Sequence, residues 1–112
     1  MPWLRFEHQA YTTAGNLAMR SGRNSEALQD FTTAVALAER AETRFNLGMA
    51  LLAAGDRAAG LDALMAAVKL NPVLFSKIGD PELSRALRQR LDADGYGVRH
   101  AWLYAGTPAA TP

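Results

Sequence analysis

Residues 44 to 72 read "RFNLGMALLAAGDRAAGLDALMAAVKLNP", and the fold turns on how this stretch is read. Glycines stand at 48, 55 and 60, alanine and leucine fill the gaps, and the run stops on Asn71-Pro72. Alanine and leucine favour helix, while the β-branched and aromatic residues that favour strands are sparse. From Thr43 to Ala54, the residues Leu47, Ala50, Leu51 and Ala54 recur at the three- and four-residue spacing of one helix face. Gly55 supplies a left-handed stop and Asp56 an N-cap for the next helix. That helix runs from Arg57 to Leu70 with Leu61, Leu64, Ala67 and Val68 inward. It ends at Asn71, because the residue before a proline avoids the helical region. The stretch is a helix hairpin with a tight turn.

Sliding the sequence back by 33 residues puts Gly48 on Gly15, Gly55 on Gly22, Leu64 on Phe31, Ala67 on Ala34 and Leu70 on Leu37. A fixed period of this length marks a repeat architecture. Each shared residue has a packing role. Gly15 and Gly48 let the partner helix of the hairpin come close. Ala27 and Gly60, then Ala34 and Ala67, keep the second helix thin at the crossing, and Phe31 and Leu64 plug the space between. Ser25 reads as the cap of the helix beginning "EALQDF".

The pattern resembles the tetratricopeptide repeat, with matches at Leu47, Gly48, Gly55, Leu64, Ala67 and Pro72. It departs at Arg44, where that family often has Trp, and at Gly60, usually Ala. The first copy has Tyr11, Gly15, Gly22, Ala27, Phe31 and Ala34 but no closing proline, and "AERAE" makes a tighter junction. The resemblance implies an all-α fold of antiparallel helix hairpins stacked as a short right-handed superhelix. The repeats span about 8–40 and 41–72.

Two repeats are fewer than such arrays need to bury a continuous core, so a cap is expected. Residues 73–79 allow a short helical turn. Asp80 then caps, Pro81 takes the first helical position, and Leu83, Leu87 and Leu91 stripe a capping helix over 80–94. This gives a domain over 1–95 and a tail over 96–112. At the other end Pro2 can start the first helix early, with Trp3, Phe6 and Ala10 extending its apolar stripe. In the tail, Val98, Ala101, Trp102 and Ala105 have helical spacing, and "GTPAATP" reads as an unstructured end. Tyr96, Trp102 and Tyr104 either pack on their own cap or dock in a groove of this chain or a neighbour.

Composition narrows the function. The 112 residues are 49% hydrophobic and 21% charged, ordinary for one globular domain, and the net charge of +1 argues against a nucleic-acid binder. The absence of cysteine removes disulfides, thiolate nucleophiles and thiolate zinc sites. With no membrane-length apolar run and no signal-peptide core, a cytoplasmic protein is expected. Arginine-over-lysine usage and abundant alanine suggest a GC-rich bacterial genome.

No catalytic constellation emerges, and no cofactor or metal is expected. His8 and His100 stand far apart without adjacent carboxylates, and no serine has a nucleophile-elbow setting. Glu82, Asp92 and Asp94 sit near helix ends, where solvated carboxylates are common. Arg85, Arg88 and Arg90 read as a solvated helix surface, and "GYG" lacks the strand-turn-helix context of a phosphate loop.

In tetratricopeptide proteins the first helix of each pair lines a concave face that receives a peptide. Carried onto this chain, the resemblance implies a groove of Gln9, Thr12, Asn16, Met19 and Arg20, continued by Glu42, Phe45, Asn46, Met49, Leu52 and Ala53. Phe45, Met49 and Leu52 form an adaptable apolar seat. Chaperone-binding family members hold a C-terminal carboxylate with asparagines at the positions of Asn16 and Asn46. They also need a lysine where this chain has Thr12. The expected function is a non-enzymatic interaction module binding a peptide or amphipathic helix, as an adaptor or small secretion-type chaperone. The alternative is a homo-oligomeric scaffold whose aromatic tail docks on a neighbouring chain.

Overall fold

A computed structural model describes residues 7–104. Four helices make two hairpins: α1 (Glu7–Arg20) with α2 (Asn24–Leu37), and α3 (Ala41–Ala53) with α4 (Arg57–Leu70). A 3-10 turn over Pro72–Lys77 leads to α5 (Pro81–Ala93), the short α6 (Tyr96–Arg99) and a second 3-10 turn at Ala101–Tyr104. No strand occurs among the described residues. Each helix packs on the next within a hairpin, α2 packs on α3 between hairpins, and α5 packs on α4.

The two hairpin turns are built alike. Gly22 and Gly55 hold φ of 76° and 91°. At the first turn Arg23 N–H donates to the Ala18 carbonyl at 2.8 Å and Gly22 N–H to Met19 at 3.1 Å. At the second, Asp56 N–H donates to Leu51 at 2.9 Å and Gly55 N–H to Leu52 at 3.0 Å. Both are Schellman stops, which satisfy helix-end carbonyls through a left-handed residue. The two turns differ in the residue after the glycine. Asp56 caps α4 by accepting from Ala59 N–H at 3.2 Å. In the first repeat the cap position falls on Arg23, whose guanidinium instead meets Glu26 at 3.3 Å. Ser25 is therefore not the cap. The helix begins two residues earlier than its side chain suggests, because the glycine stop fixes where the next helix can start.

The glycines expected to permit close approach do so. A Cβ on Gly15 would lie 2.6 Å from the Phe31 ring, and one on Gly48 would lie 2.9 Å from Leu64 Cγ. Phe31, Leu64, Ala27, Ala34, Ala67 and Val68 are almost wholly buried. Leu37 and Leu70, equivalent by the repeat, both face outward. Two residues of the expected faces do as well: Ala10 and Ala54 are exposed. α3 packs on both α2 and α4, so its buried residues Ala41, Thr43, Gly48 and Ala50 do not follow one stripe.

Among the described residues the largest cluster lies at the cap. Leu61, Leu64 and Val68 of α4 meet Phe75, then Leu83, Leu87 and Leu91 of α5, and finally Leu103 and Tyr104. Asn71 ends α4 and its Oδ1 accepts from Val73 N–H at 3.3 Å, while Asp80 caps α5 by accepting from Glu82 N–H at 3.0 Å. Beyond Gly95, with φ of 85°, the chain folds back on α5. The buried residues there are Gly97, Leu103 and Tyr104. The stripe expected from Val98, Ala101 and Trp102 faces the other way: Val98 is 71% and Trp102 60% exposed. A break at His100 between the two short helical turns destroys the single helical phase that the spacing assumes. Trp3, Phe6, Ala105 and the expected unstructured end lie outside the described residues.

Candidate functional site

The first helices of the two hairpins, α1 and α3, lie in contact, and clefts open at both ends of the pair. One, of about 460 Å³, lies at their C-terminal ends. Met19, Met49, Leu52 and Ala53 line it together with Gly55 and Arg57, and the start of α5 closes it with Asp80, Glu82 and Leu83. Its wall is continuous with the core, since Leu52 packs on the cap cluster and Met19 on the Phe31 cluster. Met49 is 37% exposed. A firm aliphatic wall with flexible thioethers suits apolar side chains of varied shape.

The second cleft, of about 330 Å³, lies at the N-terminal ends of the same two helices. His8, Gln9, Thr12 and Thr13 line it from α1, and Arg40, Glu42 and Thr43 from the start of α3. Every residue that lines it carries a polar or charged side chain. Thr12 Oγ1 donates to the His8 carbonyl at 2.8 Å, while the His8 residue is only 6% exposed.

The expected groove residues divide between these places. Met19, Met49, Leu52 and Ala53 come together in the apolar cleft, and Gln9, Thr12 and Glu42 in the polar one. Phe45 lines neither; its half-buried ring packs on the cap cluster and on the cluster of Ala41, Ala67 and Leu74. Asn16, Arg20 and Asn46 also line neither cleft, with both asparagines half-buried and Arg20 exposed. Sequence reasoning misses Asp80, Glu82 and Leu83 as groove residues. The Asp-Pro signal marks a helix start, but that this start closes over Ala53 is a tertiary fact. It also misses Arg40, which carries no motif.

The acidic and basic residues of α5 tie the cap down. Asp92 accepts from the Tyr104 phenol at 2.9 Å, and the Arg88 guanidinium lies 4.1 Å from the Tyr104 ring centre. Burial above all, with the Asp92 hydrogen bond, pushes the Tyr104 phenol above its ordinary range. Asp94 pairs with Lys69 and Arg90 with Asp62, both reaching across to α4. The Lys69 hydrogen bond and charge hold the Asp94 carboxyl below the usual carboxylate range. Among the described residues, no three His, Cys, Asp or Glu side chains gather as a metal site, and no helix is long and apolar enough to cross a membrane.

The model of the tetratricopeptide-repeat family matches residues 8–40 and again residues 41–74, one match per hairpin. No solved structure matches the chain.

Proposed function

This chain belongs to the tetratricopeptide-repeat family, and from that premise we propose that it holds a segment of a partner protein along the α1–α3 face. Repeats of this family mediate protein–protein interaction. The observation that carries the reading is the apolar cleft of Met19, Met49, Leu52, Ala53 and Leu83, open to solvent and backed by the core. It offers an anchor point for a leucine-like side chain of an amphipathic helix or extended peptide. Asn16, Arg20, Asn46 and the polar cleft supply orienting groups. An adaptor, or a small chaperone shielding an apolar segment, would use the same face.

The test places a photo-crosslinking amino acid at Ala53, at the cleft, and at Ala36, an exposed position on α2. The reading requires capture of a partner at 53, little at 36, and loss of capture on Met49→Glu. Equal capture at both positions overturns it.

A second reading, self-association, draws on the outward-facing Trp102, Val98 and Val73. Tyr96 and Tyr104 are committed to their own chain, by packing on the cap cluster and within it respectively. That leaves Trp102 as the tail's available aromatic group. Light scattering that finds only monomer at high concentration removes this reading.

A further inference from the structure

The apolar cleft carries unmatched charge at its mouth. Asp80 and Glu82, at the start of α5, line its lip and are both exposed. Neither forms an ion pair among the described residues. Asp80 uses only Oδ1 to accept from the Glu82 N–H. Elsewhere on α4 and α5 the carboxylates are matched: Asp62 by Arg90, Asp92 by Arg88, and Asp94, just past α5, by Lys69. The acids at the cleft are the exception.

The end of α3 adds to the same field. A helix C-terminus carries negative partial charge and favours a cation beside it. α1, α4 and α5 each have a basic residue in the last turn, Arg20, Lys69 and Arg90, whereas α3 has none. Its last turn enters the cleft wall through Leu52 and Ala53. Against these stands Arg57, the one cation among the lining residues, on the α4 side.

From this imbalance we infer that the occupant of the cleft is a basic amphipathic segment of a partner protein. It seats a leucine-like side chain among Met19, Met49, Leu52 and Leu83 and sets a lysine or arginine against Asp80 and Glu82. The inference rests on the proposed groove and names the partner's chemistry. Leu83 follows Glu82 directly, so the apolar seat and the acidic lip adjoin. Lysine and arginine suit the lip because their apolar stems lie along a hydrocarbon wall while the charged head reaches outward. A helix presents two side chains together at a spacing of three or four residues, and an extended chain at a spacing of two.

The experiment selects from a synthetic library of random dodecapeptides with both ends blocked. The targets are the unaltered protein, the double variant Asp80→Asn with Glu82→Gln, and Met49→Gln. Asparagine caps a helix about as well as aspartate, so the double variant removes charge and keeps the start of α5. Met49→Gln makes the wall polar without adding charge. Circular dichroism and thermal melts verify that both variants fold. Selection on the unaltered protein should enrich a Lys or Arg at that spacing from a Leu-like residue. The double variant should lose the basic preference and keep the apolar one, and Met49→Gln should do the reverse. Changing the basic residue of a selected peptide to glutamine should weaken binding about fivefold, the scale of an exposed ion pair. The same change should make no difference on the double variant.

Apolar enrichment without the basic residue, or a basic preference that survives on the double variant, overturns the charge assignment and leaves the groove standing. Enrichment of Asp or Glu in its place, directed at Arg57, does the same. Light scattering that finds a dimer abolished by Met49→Gln makes a second copy the occupant and overturns the inference. No enrichment, or enrichment indifferent to Met49→Gln, overturns the groove and the inference with it.

Discussion

Gly48 and Gly60 face each other across the α3–α4 crossing so closely that a Cβ on either would lie 3.0 Å from the other's carbonyl oxygen. The same added carbon would meet Leu64 from position 48 and Leu52 from position 60. Two backbones therefore touch where most hairpins place side chains. Gly48→Ala and Gly60→Ala should each destabilise by about 1–3 kcal/mol, because overpacking outweighs the gain in helix propensity. Thermal melts should show a fall of several degrees for each, at about 4–8 °C per kcal/mol in a domain of this size.

Gly22 separates the conformational cost from the steric one. Nothing lies within 4 Å of a Cβ there, yet φ is 76°. Gly22→Ala should cost about 1–2 kcal/mol through the backbone alone. Gly22→Asn should recover part of that loss, since asparagine tolerates the left-handed region. Denaturant midpoints for the two variants provide the comparison.

The tail is part of the core, as Leu103 and Tyr104 sit in the cap cluster. Ending the chain after Gly95 should cost about 3 kcal/mol or more, from the two lost apolar burials, and urea unfolding should detect it. Gly97→Ala should also be harmful, since its Cβ would lie 2.0 Å from the Tyr104 hydroxyl and 2.1 Å from Asp92 Oδ1.

Alkaline titration should expose the same contact. The Tyr104 phenol is held neutral in the folded state above the pH at which an unfolded tyrosine ionises, about 10. Its stabilisation is thus complete below about pH 10 and is lost as pH rises beyond it. Absorbance near 295 nm should show one tyrosinate appearing only as helicity falls, and Tyr104→Phe should flatten that linked decline.

Two groove substitutions should part company. Met49→Glu places a charge at the cleft lip and should weaken partner binding while leaving the melting temperature within a few degrees. Phe45→Glu buries a charge against two clusters and should lower stability by several kcal/mol, on the order of an unpaired buried charge. Paired binding and melting measurements distinguish the two effects.

The hairpins, their glycine stops and the capping helix were legible because each rests on local rules: helix spacing, a left-handed residue, a residue before proline. The repeat added the crossing glycines, since Gly15 and Gly48 fall in register. Ser25 misleads because side-chain preference alone does not fix a helix start that an adjacent glycine turn dictates. The tail misleads for a related reason: a break at His100 rotates Trp102 away from the face that its spacing suggests. In the site, Met19 and Met49 were named as groove residues through the family resemblance. Leu83 was not, because its place beside them depends on the path of the 3-10 turn, which has no counterpart in the first repeat.

Among the described residues, the lopsided distribution of large apolar side chains also sets a direction of melting. The cap end gathers Leu61, Leu64, Leu83, Leu87, Leu91 and Leu103 with Val68, Phe75 and Tyr104 in one cluster. The first hairpin closes over Phe31 and the small side chains of Ala18, Ala27 and Ala50. In a linear array each unit leans only on its neighbour. Amide protons of α1 and α2 should therefore trade with solvent deuterium well before those of α4 and α5. The molecule frays from its opening helices and keeps the cap as its last ordered remnant.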